Sequence, residues 1–291
     1  MFTGALTALI TPFADGSVDA RALKRLVDWQ IDAGVHGLVP CGTTGESATL
    51  SHEEHTEVVR LTVEAARGRV PVIAGTGSNS TAEAIRLTRE AKEAGADAAL
   101  LISPYYTRPT QEGIARHYET IAQAVDLPLI IYNVPPRTAS KVEVSTLARL
   151  AELPNIVGVK DAVGSLEHTL ETIRDCGPTF AVYSGEDALT LPIMAVGGRG
   201  VISAVANVVP AEMAALATAC LEGRLETARQ KQLDLLALIR ACFVETNPIP
   251  VKTACAMMNL CREEFRLPMT PMAEANRAVL RRALAAHGLV R

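Results

Sequence analysis

The residue of this sequence with the clearest chemical meaning is a lysine that ends an apolar, β-branched run. Lys160 follows Ile156-Val157-Gly158-Val159, whereas the other five lysines lie in helical or polar segments or close to prolines. Burial at the end of a strand would disfavour the ammonium form and lower the lysine pKa from its ordinary value of about 10.4. A neutral amine can attack a carbonyl carbon and form an imine. The same position also suits a structural lysine paired with a carboxylate such as Asp161, and the pattern leaves both interpretations open.

Three further polar groups follow apolar runs and could serve a carbonyl chemistry. Tyr132 ends the preceding run and could transfer protons to an imine, or it could be an ordinary buried tyrosine. Gly42-Thr43-Thr44-Gly45 offers backbone N–H groups and hydroxyls to a carboxylate, or it is an ordinary loop that leads into a helix. Arg137 follows Val134-Pro135-Pro136, a rigid connection. Its guanidinium could bind a carboxylate through two nitrogens, or it could lie on the surface.

Composition and spacing argue against metal, nucleic-acid and membrane functions. His52-Glu53-Glu54-His55 places its histidines three residues apart, instead of the four of the H-E-x-x-H zinc motif. The six cysteines lack C-x-x-C or zinc spacing, which is typical of reduced thiols in a cytosolic protein. The net charge of −4 indicates no basic surface for nucleic acid, and no apolar run of about 18 residues could span a membrane. We therefore expect no metal, no nucleic-acid or membrane partner, and a cytoplasmic location.

Eight short apolar runs recur through the first 210 residues and alternate with helical patterns of period 3.6. They are Gly4–Pro12, Gly37–Cys41, Val70–Gly75, Ala98–Ser103, Leu127–Asn133, Ile156–Lys160, Phe180–Ser184 and Gly200–Ala204. Alternating strands and helices indicate a parallel sheet, and eight such units match a (β/α)8 barrel. An open doubly wound sheet is the alternative, but it would need a glycine-rich turn where Thr11-Pro12-Phe13 stands. In such barrels the catalytic side chains lie at the C-terminal ends of the strands, where the lysine, the tyrosine and the threonine turn all fall.

The strand pattern stops after residue 210, and helices rich in Ala and Leu follow. We therefore predict an α/β fold, with a catalytic TIM barrel over residues 1–210 and a C-terminal helical region over residues 211–291. Two helix starts, Ser51-His52-Glu53-Glu54 and Ser80-Thr81-Ala82-Glu83, have the spacing of capping boxes.

Three segments of the chain resemble the signatures of one family of class I aldolases. Gly42-Thr43-Thr44-Gly45-Glu46, Tyr132-Asn133-Val134-Pro135 and Gly158-Val159-Lys160 are similar to those of the dihydrodipicolinate synthase / N-acetylneuraminate lyase family. The resemblance covers essentially the whole chain, from Phe2-Thr3-Gly4 to Leu267-Pro268-Met269-Thr270-Pro271. It implies a lyase that condenses pyruvate with L-aspartate 4-semialdehyde, which begins the diaminopimelate route to L-lysine.

The resemblance also implies the catalytic roles. Lys160 would form the imine with pyruvate, and Tyr132 would donate and accept protons. Thr43 would link Tyr132 to Tyr106, which reaches in from a neighbouring subunit. Because the covalent imine activates the substrate, no cofactor is implied.

Four other residues are implied to bind the substrates. Thr44 and Ile202 would hold pyruvate, with Thr44 on its carboxylate. Arg137 would bind the carboxylate of the semialdehyde at the mouth of the site, and Gly185 would lie beside the site. Sialic-acid lyases of the family generally lack such an arginine, so Arg137 favours the synthase.

Assembly and regulation are implied as well. Members of this family are usually homotetramers, built as a dimer of dimers, and many are inhibited by L-lysine at the tight dimer interface. The residues that match the inhibitor site are Ser47, Ala48, His52, His55, Asn79, Glu83 and Tyr105. Their presence predicts that L-lysine inhibits this chain.

Two other functions remain open. One is a related pyruvate aldolase or dehydratase for a sugar acid or another keto acid, which would keep Lys160 and Tyr132 but accept a different second substrate. Departures from the family pattern, such as Asp161 and Glu186, fit that possibility. The other is a non-catalytic lysine-binding barrel, whose mark would be the loss of Lys160, Tyr132 or Thr43, and all three are present.

Overall fold

The computed structural model describes residues 2–290 and contains the predicted barrel. Its parallel strands are β1 Gly4–Ala8, β2 Gly37–Val39, β3 Ile73–Gly75, β4 Ala98–Ile102, β5 Leu129–Asn133, β6 Ile156–Asp161, β7 Ala181–Ser184 and β8 Gly200–Ser203. Hydrogen bonding joins them in the order β2-β1-β8-β7-β6-β5-β4-β3. A parallel bridge between Leu38 and Val72 closes the circle between β2 and the start of β3. The (β/α)8 prediction is confirmed, and all eight predicted runs contain a strand.

Helices surround the barrel and continue beyond it. They are α1 Ala20–Asp32, α2 His52–Ala66, α3 Thr81–Glu93, α4 Gln111–Ala124, α5 Pro135–Thr138, α6 Val144–Leu150, α7 Leu166–Cys176, α8 Thr190–Ala195, α9 Pro210–Leu221, α10 Leu225–Cys242, α11 Ile249–Met257 and α12 Glu274–Ala286. Short 3-10 turns are Thr43–Gly45, Ser47–Thr49, Asp187–Leu189 and Val205–Asn207, and a small antiparallel hairpin pairs Phe13–Ala14 with Ser17–Val18. Within residues 2–290, none of these helices has both the length and the apolarity that a membrane crossing requires.

The strands are apolar because both of their faces are buried. Alternate side chains point into the barrel, where they form one core, and the others pack against the surrounding helices. The inner core consists of Leu6, Ala8, Val39, Ile73, Ala98, Leu100, Ile130, Tyr132, Val134, Ala162, Ala181, Tyr183 and Ile202. Since this core fills the barrel interior, polar chemistry is confined to the strand ends and the loops that follow them.

The helical region after β8 packs against the barrel. Helix α9 contacts β1, β8 and α8 on the outside of the barrel, and α10 contacts α8, α9, α11 and α12. Leu238 and Ile239 of α10 and Leu280 and Leu284 of α12 are buried in the core cluster that also contains residues of β1. The C-terminal helices therefore share a hydrophobic core with the barrel.

The two predicted capping boxes have different outcomes. At α2, the Ser51 hydroxyl accepts the Glu54 N–H and the Glu54 carboxylate accepts the Ser51 N–H, as predicted. At α3, Ser80 makes no capping hydrogen bond, so that prediction was wrong. The Glu83 carboxylate does not complete the box, because it accepts the Ser78 hydroxyl and bonds His52 Nε2, while the Ser80 N–H is donated to the Ser78 hydroxyl oxygen.

The difference between the two helix starts predicts different losses of folding stability when each serine is replaced. Ser51→Ala removes a side-chain acceptor from the first turn of α2 and should lower the free energy of unfolding by about 1 kcal/mol. Ser80→Ala is the matched control and should be close to neutral, because the Ser80 hydroxyl caps nothing. Urea unfolding of both variants tests this, and equal losses would contradict the assignment of the two caps.

Candidate active site

Lys160 lies at the C-terminal end of β6, in the middle of the closed sheet. Its register partners are Tyr132 on β5 and Tyr183 on β7. The residue is 7% exposed, and its Nζ lies 4.3 Å from the centre of the Tyr132 ring. Among the described ion pairs, none joins Lys160 to Asp161, the alternative partner considered above; Asp161 accepts hydrogen bonds from the Thr169 hydroxyl and the Val163 N–H instead.

Burial changes the protonation chemistry of this amine. Loss of hydration lowers the pKa of Lys160 to about 8, an effect that Asp187 and Glu186 oppose and Arg137 reinforces. Asp187 is itself buried, and its carboxylate accepts the Ser203 hydroxyl and the backbone N–H of Ala204. The lowered pKa gives the lysine a larger neutral fraction near neutral pH than an exposed lysine has, although most of it stays charged, and only the neutral amine is a nucleophile.

Tyr132 is placed to exchange protons with a group bound at Lys160. Burial raises the pKa of Tyr132 to about 12, while Arg137 and a hydrogen bond with the Thr43 side chain lower it. The phenol therefore remains protonated at neutral pH and can donate a hydrogen bond. Because the oxygen can also accept a proton through Thr43, the pair can act as a donor and an acceptor in turn.

The loop after β2 brings the two threonines to the strand ends. Residues Thr43–Gly45 form a 3-10 turn that follows Gly42, and Thr44 is buried. The Thr44 hydroxyl accepts a hydrogen bond from Asn247 Nδ2 at 2.9 Å. Glu46 ends the turn in the left-handed region, with φ +52°, and its carboxylate bonds Lys252 Nζ at 2.6 Å.

A cavity of about 460 Å³ opens beside these groups, and Thr43, Tyr132 and Arg137 line it together. Arg137 lies on α5, which Pro135 begins at the end of β5. Its Nη2 donates to the backbone oxygen of Asn247 at 3.3 Å. The guanidinium therefore faces the same cavity as the tyrosine and could bind a carboxylate there.

The other predicted binding residues lie close to the lysine strand. Gly185 follows β7 and donates its N–H to the backbone oxygen of Asp161 at 2.7 Å. A Cβ at Gly185 would lie 2.7 Å from the Ala162 Cβ, so a larger residue there would displace the β6 end. Ile202 is buried on β8 opposite Leu6 and contributes to the inner core.

Tyr106 is the predicted catalytic residue that the single chain does not bring to the site. It is 88% exposed, has φ +69° and does not line the cavity. The neighbouring Tyr105 does line it. An exposed tyrosine on a loop at the active-site face has the placement that a residue donated to a second subunit would need.

Most of the predicted lysine-binding residues line the same cavity on the side of α2 and α3. They are Ser47, Ala48, His52, His55, Glu83 and Tyr105. His55 is buried and its Nε2 bonds the Gly75 oxygen at 2.7 Å, and burial lowers the pKa of His55. Asn79 does not line the cavity but donates Nδ2 to the Tyr105 oxygen at 3.3 Å.

The carboxylate of Glu83 has the charge and the exposure that a cationic ligand would need. A hydrogen bond with the Ser78 hydroxyl, which has the larger effect, and one with His52 Nε2 hold the pKa of Glu83 below its usual range. His52 Nε2 lies 2.9 Å from Glu83 Oε1. The carboxylate is therefore ionised at neutral pH and remains partly exposed toward the cavity. A ligand ammonium group could pair with it.

Sequence reasoning missed the contribution of three residues. Asn247 and Lys252 belong to a segment that resembles the family, but no pattern connects them with the loop after β2, some 200 residues away. Asp187 was visible as a polar residue at the end of β7, although nothing in the sequence indicates that its charge acts on Lys160. Among residues 2–290, no group of three or more His, Cys, Asp or Glu side chains could hold a metal ion.

Two solved structures have the same fold as this chain and are also similar to it in sequence. A chloride-inhibited dihydrodipicolinate synthase of Acinetobacter baumannii, complexed with pyruvate, superimposes with a TM-score of 0.98 at 46% identity and covers 100% of both chains. The enzyme of Cyanidioschyzon merolae with lysine bound gives a TM-score of 0.96 at 39% identity and covers 99% of both.

Sequence comparison finds relatives in the same family as these solved structures. The model of the dihydrodipicolinate synthetase family matches residues 1–287. The 4-hydroxy-tetrahydrodipicolinate synthase of Syntrophobacter fumaroxidans is 56% identical over 291 residues, which is 100% of both chains. With the barrel and the lysine at the end of its sixth strand, these matches establish that the chain belongs to the dihydrodipicolinate synthetase family.

Proposed function

We propose that this chain is a lyase that condenses pyruvate with L-aspartate 4-semialdehyde to 4-hydroxy-tetrahydrodipicolinate, the first committed step of the diaminopimelate and L-lysine pathway. The observation that carries the proposal is the buried amine of Lys160, whose pKa is lowered to about 8 beside Tyr132. The name of the Syntrophobacter relative and the pyruvate complex of the Acinetobacter enzyme support the same reaction.

The first step is imine formation. Neutral Nζ of Lys160 attacks the keto carbon of pyruvate, a C–N bond forms, and the keto oxygen leaves as water after it has gained protons. Thr44 holds the carboxylate of pyruvate, and the apolar side chain of Ile202 lies on the barrel side of the site. The covalent bond to the enzyme supplies the activation, so the proposed chemistry uses no separate cofactor.

Proton transfer then converts the imine into a nucleophile. Tyr132 supplies and removes the protons, with its hydroxyl bonded to Thr43. Loss of a proton from the former methyl carbon of pyruvate gives an enamine. Tyr106 of a neighbouring subunit completes the relay, which is supported by its exposure in the single chain.

The second half of the reaction joins the aldehyde. Arg137 binds the carboxylate of the semialdehyde at the mouth of the site, and the enamine carbon attacks the aldehyde carbon. The amino group of the adduct then displaces Lys160 from the imine carbon and closes the ring, which frees the enzyme. A charged arginine in this position favours an acceptor with a carboxylate over a neutral sugar.

We further propose that the chain forms a homotetramer, as a dimer of dimers, and that L-lysine inhibits it. The exposed Tyr106 supports a tight dimer in which each subunit completes the other's site. The cavity lined by His52, Glu83 and Tyr105 supports the inhibitor site, and the Cyanidioschyzon enzyme has been solved with lysine bound.

Imine formation should depend on pH through Lys160. Below its pKa the amine is protonated and cannot attack, so the rate of pyruvate adduct formation should rise as the pH passes about 8 and level off above it. Borohydride trapping followed by mass spectrometry measures this rate. Lys160→Arg should trap nothing, because a guanidinium stays charged.

The matched control for this experiment is Lys141→Arg. Lys141 is partly exposed and pairs with Glu143, so its replacement should leave trapping unchanged. Adduct formation by Lys160→Arg would refute the imine mechanism. Trapping without turnover of the semialdehyde, in an assay coupled to an NADPH-dependent reductase, would instead favour an aldolase with another acceptor.

The role of Tyr106 predicts a loss of rate without a loss of assembly. Tyr106→Phe removes only the hydroxyl, and turnover should fall by about 10²-fold, the usual size of a general acid–base contribution. Analytical ultracentrifugation should give the wild-type oligomer. An unchanged kcat would remove Tyr106 from the relay.

Inhibition by L-lysine should depend on the charge of Glu83. Glu83→Gln removes the carboxylate that would bind the ammonium group, so the lysine concentration for half inhibition should rise by about 10-fold or more. Turnover without lysine should be unchanged. Glu93→Gln, on the exposed end of the same helix, serves as the control. Equal lysine sensitivity of all three proteins would place the inhibitor elsewhere.

A further inference from the structure

The most completely buried ion pair of the described chain joins the active-site loop to the C-terminal region. Lys252 Nζ lies 2.6 Å from Glu46 Oε1, and the two side chains are 0% and 1% exposed. The ammonium group also lies 3.9 Å from the centre of the Phe13 ring and 5.3 Å from that of Phe265. Desolvated charges of this kind must remain paired, because either partner alone would be a buried, uncompensated charge.

The pair holds the loop at one of its two left-handed residues, the other being Cys41. Glu46 has φ +52°, a left-handed conformation that residues other than glycine rarely adopt. Its second oxygen accepts the backbone N–H of Arg266 at 3.3 Å, so both oxygens bond the C-terminal region. Because Glu46 follows Thr44 by two residues, its position fixes the direction of the turn that carries both threonines.

A second contact ties the same segment to the substrate-binding groups. Asn247 donates Nδ2 to the Thr44 hydroxyl and accepts Arg137 Nη2 at its backbone oxygen. Asn247 and Lys252 stand at the two ends of one short stretch that includes the start of α11. That stretch therefore contacts the loop on both sides of Gly45.

We propose that Lys252 is a positioning residue: by holding Glu46, it aligns Thr43 and Thr44 for the pyruvate half-reaction. This inference rests on the proposed function and deepens it. Lys252 touches no substrate in this scheme and acts through the loop. The C-terminal region is thereby part of the active-site scaffold, because it supplies the only charge that Glu46 pairs with among the described ion pairs.

The test is the pyruvate dependence of borohydride trapping in Lys252→Met. Misplacement of Thr44 should raise the pyruvate concentration for half-maximal trapping by about 10- to 100-fold, whereas saturating pyruvate should still label Lys160 completely. Arg262→Met is the matched control, since Arg262 belongs to the same region and pairs with Asp15 on the surface. The control should keep the wild-type pyruvate dependence.

A double variant covers the case in which Lys252→Met does not fold. Glu46→Gln with Lys252→Met leaves no charge buried, removes the ion pair, and should show the same rise in half-saturation. Wild-type pyruvate dependence in a folded variant of either kind would overturn the positioning role, even if its Tm were lowered. Failure of the wild-type chain to trap pyruvate at all would instead overturn the proposed function.

Discussion

The desolvation of one amine is the constraint on which the rest of this site depends. A lysine at the end of a barrel strand is removed from water by the closed sheet, and this burial outweighs the neighbouring carboxylates and lowers its pKa to about 8. Asp187, whose carboxylate accepts the Ser203 hydroxyl of β8, opposes this lowering of the lysine pKa, whereas Arg137 adds to it. The balance leaves a minor neutral fraction of the amine at neutral pH, with the charged form still dominant. Barrel closure therefore causes the lowered pKa of Lys160.

The helical region after the barrel makes polar contacts as well as apolar ones. It buries its own apolar faces against the core that contains β1, and it also sends Asn247 and Lys252 to the loop after β2. The loop has backbone hydrogen bonds of its own, from the Gly45 N–H to the Gly42 oxygen and from the Glu46 N–H to the Thr43 oxygen. Contacts from residues some 200 positions later in the chain are added to these local bonds.

Most of the fold could be predicted because its causes are local and periodic. Fully apolar runs at regular spacing indicate strands buried on both faces, and all eight strands follow from them. The Ser51 cap was predictable for the same reason, since its partners are three residues apart. The absence of a cap at Ser80 was not predictable, because Glu83 has two competing partners, Ser78 in the loop before α3 and His52 on α2, that the capping-box pattern does not reveal.

By itself, the sequence determined the barrel and the family, and it marked Lys160, Tyr132 and Arg137 as candidate groups, because residue type and position relative to the apolar runs are properties of the chain. Only the tertiary structure decided that Asp187 acts on Lys160 and that Lys252 pairs with Glu46. It also decided that Tyr106 is exposed and does not line the cavity of its own chain. These facts depend on distances between residues far apart in the chain, and electrostatic energies and hydrogen bonds are functions of distance, not of sequence order.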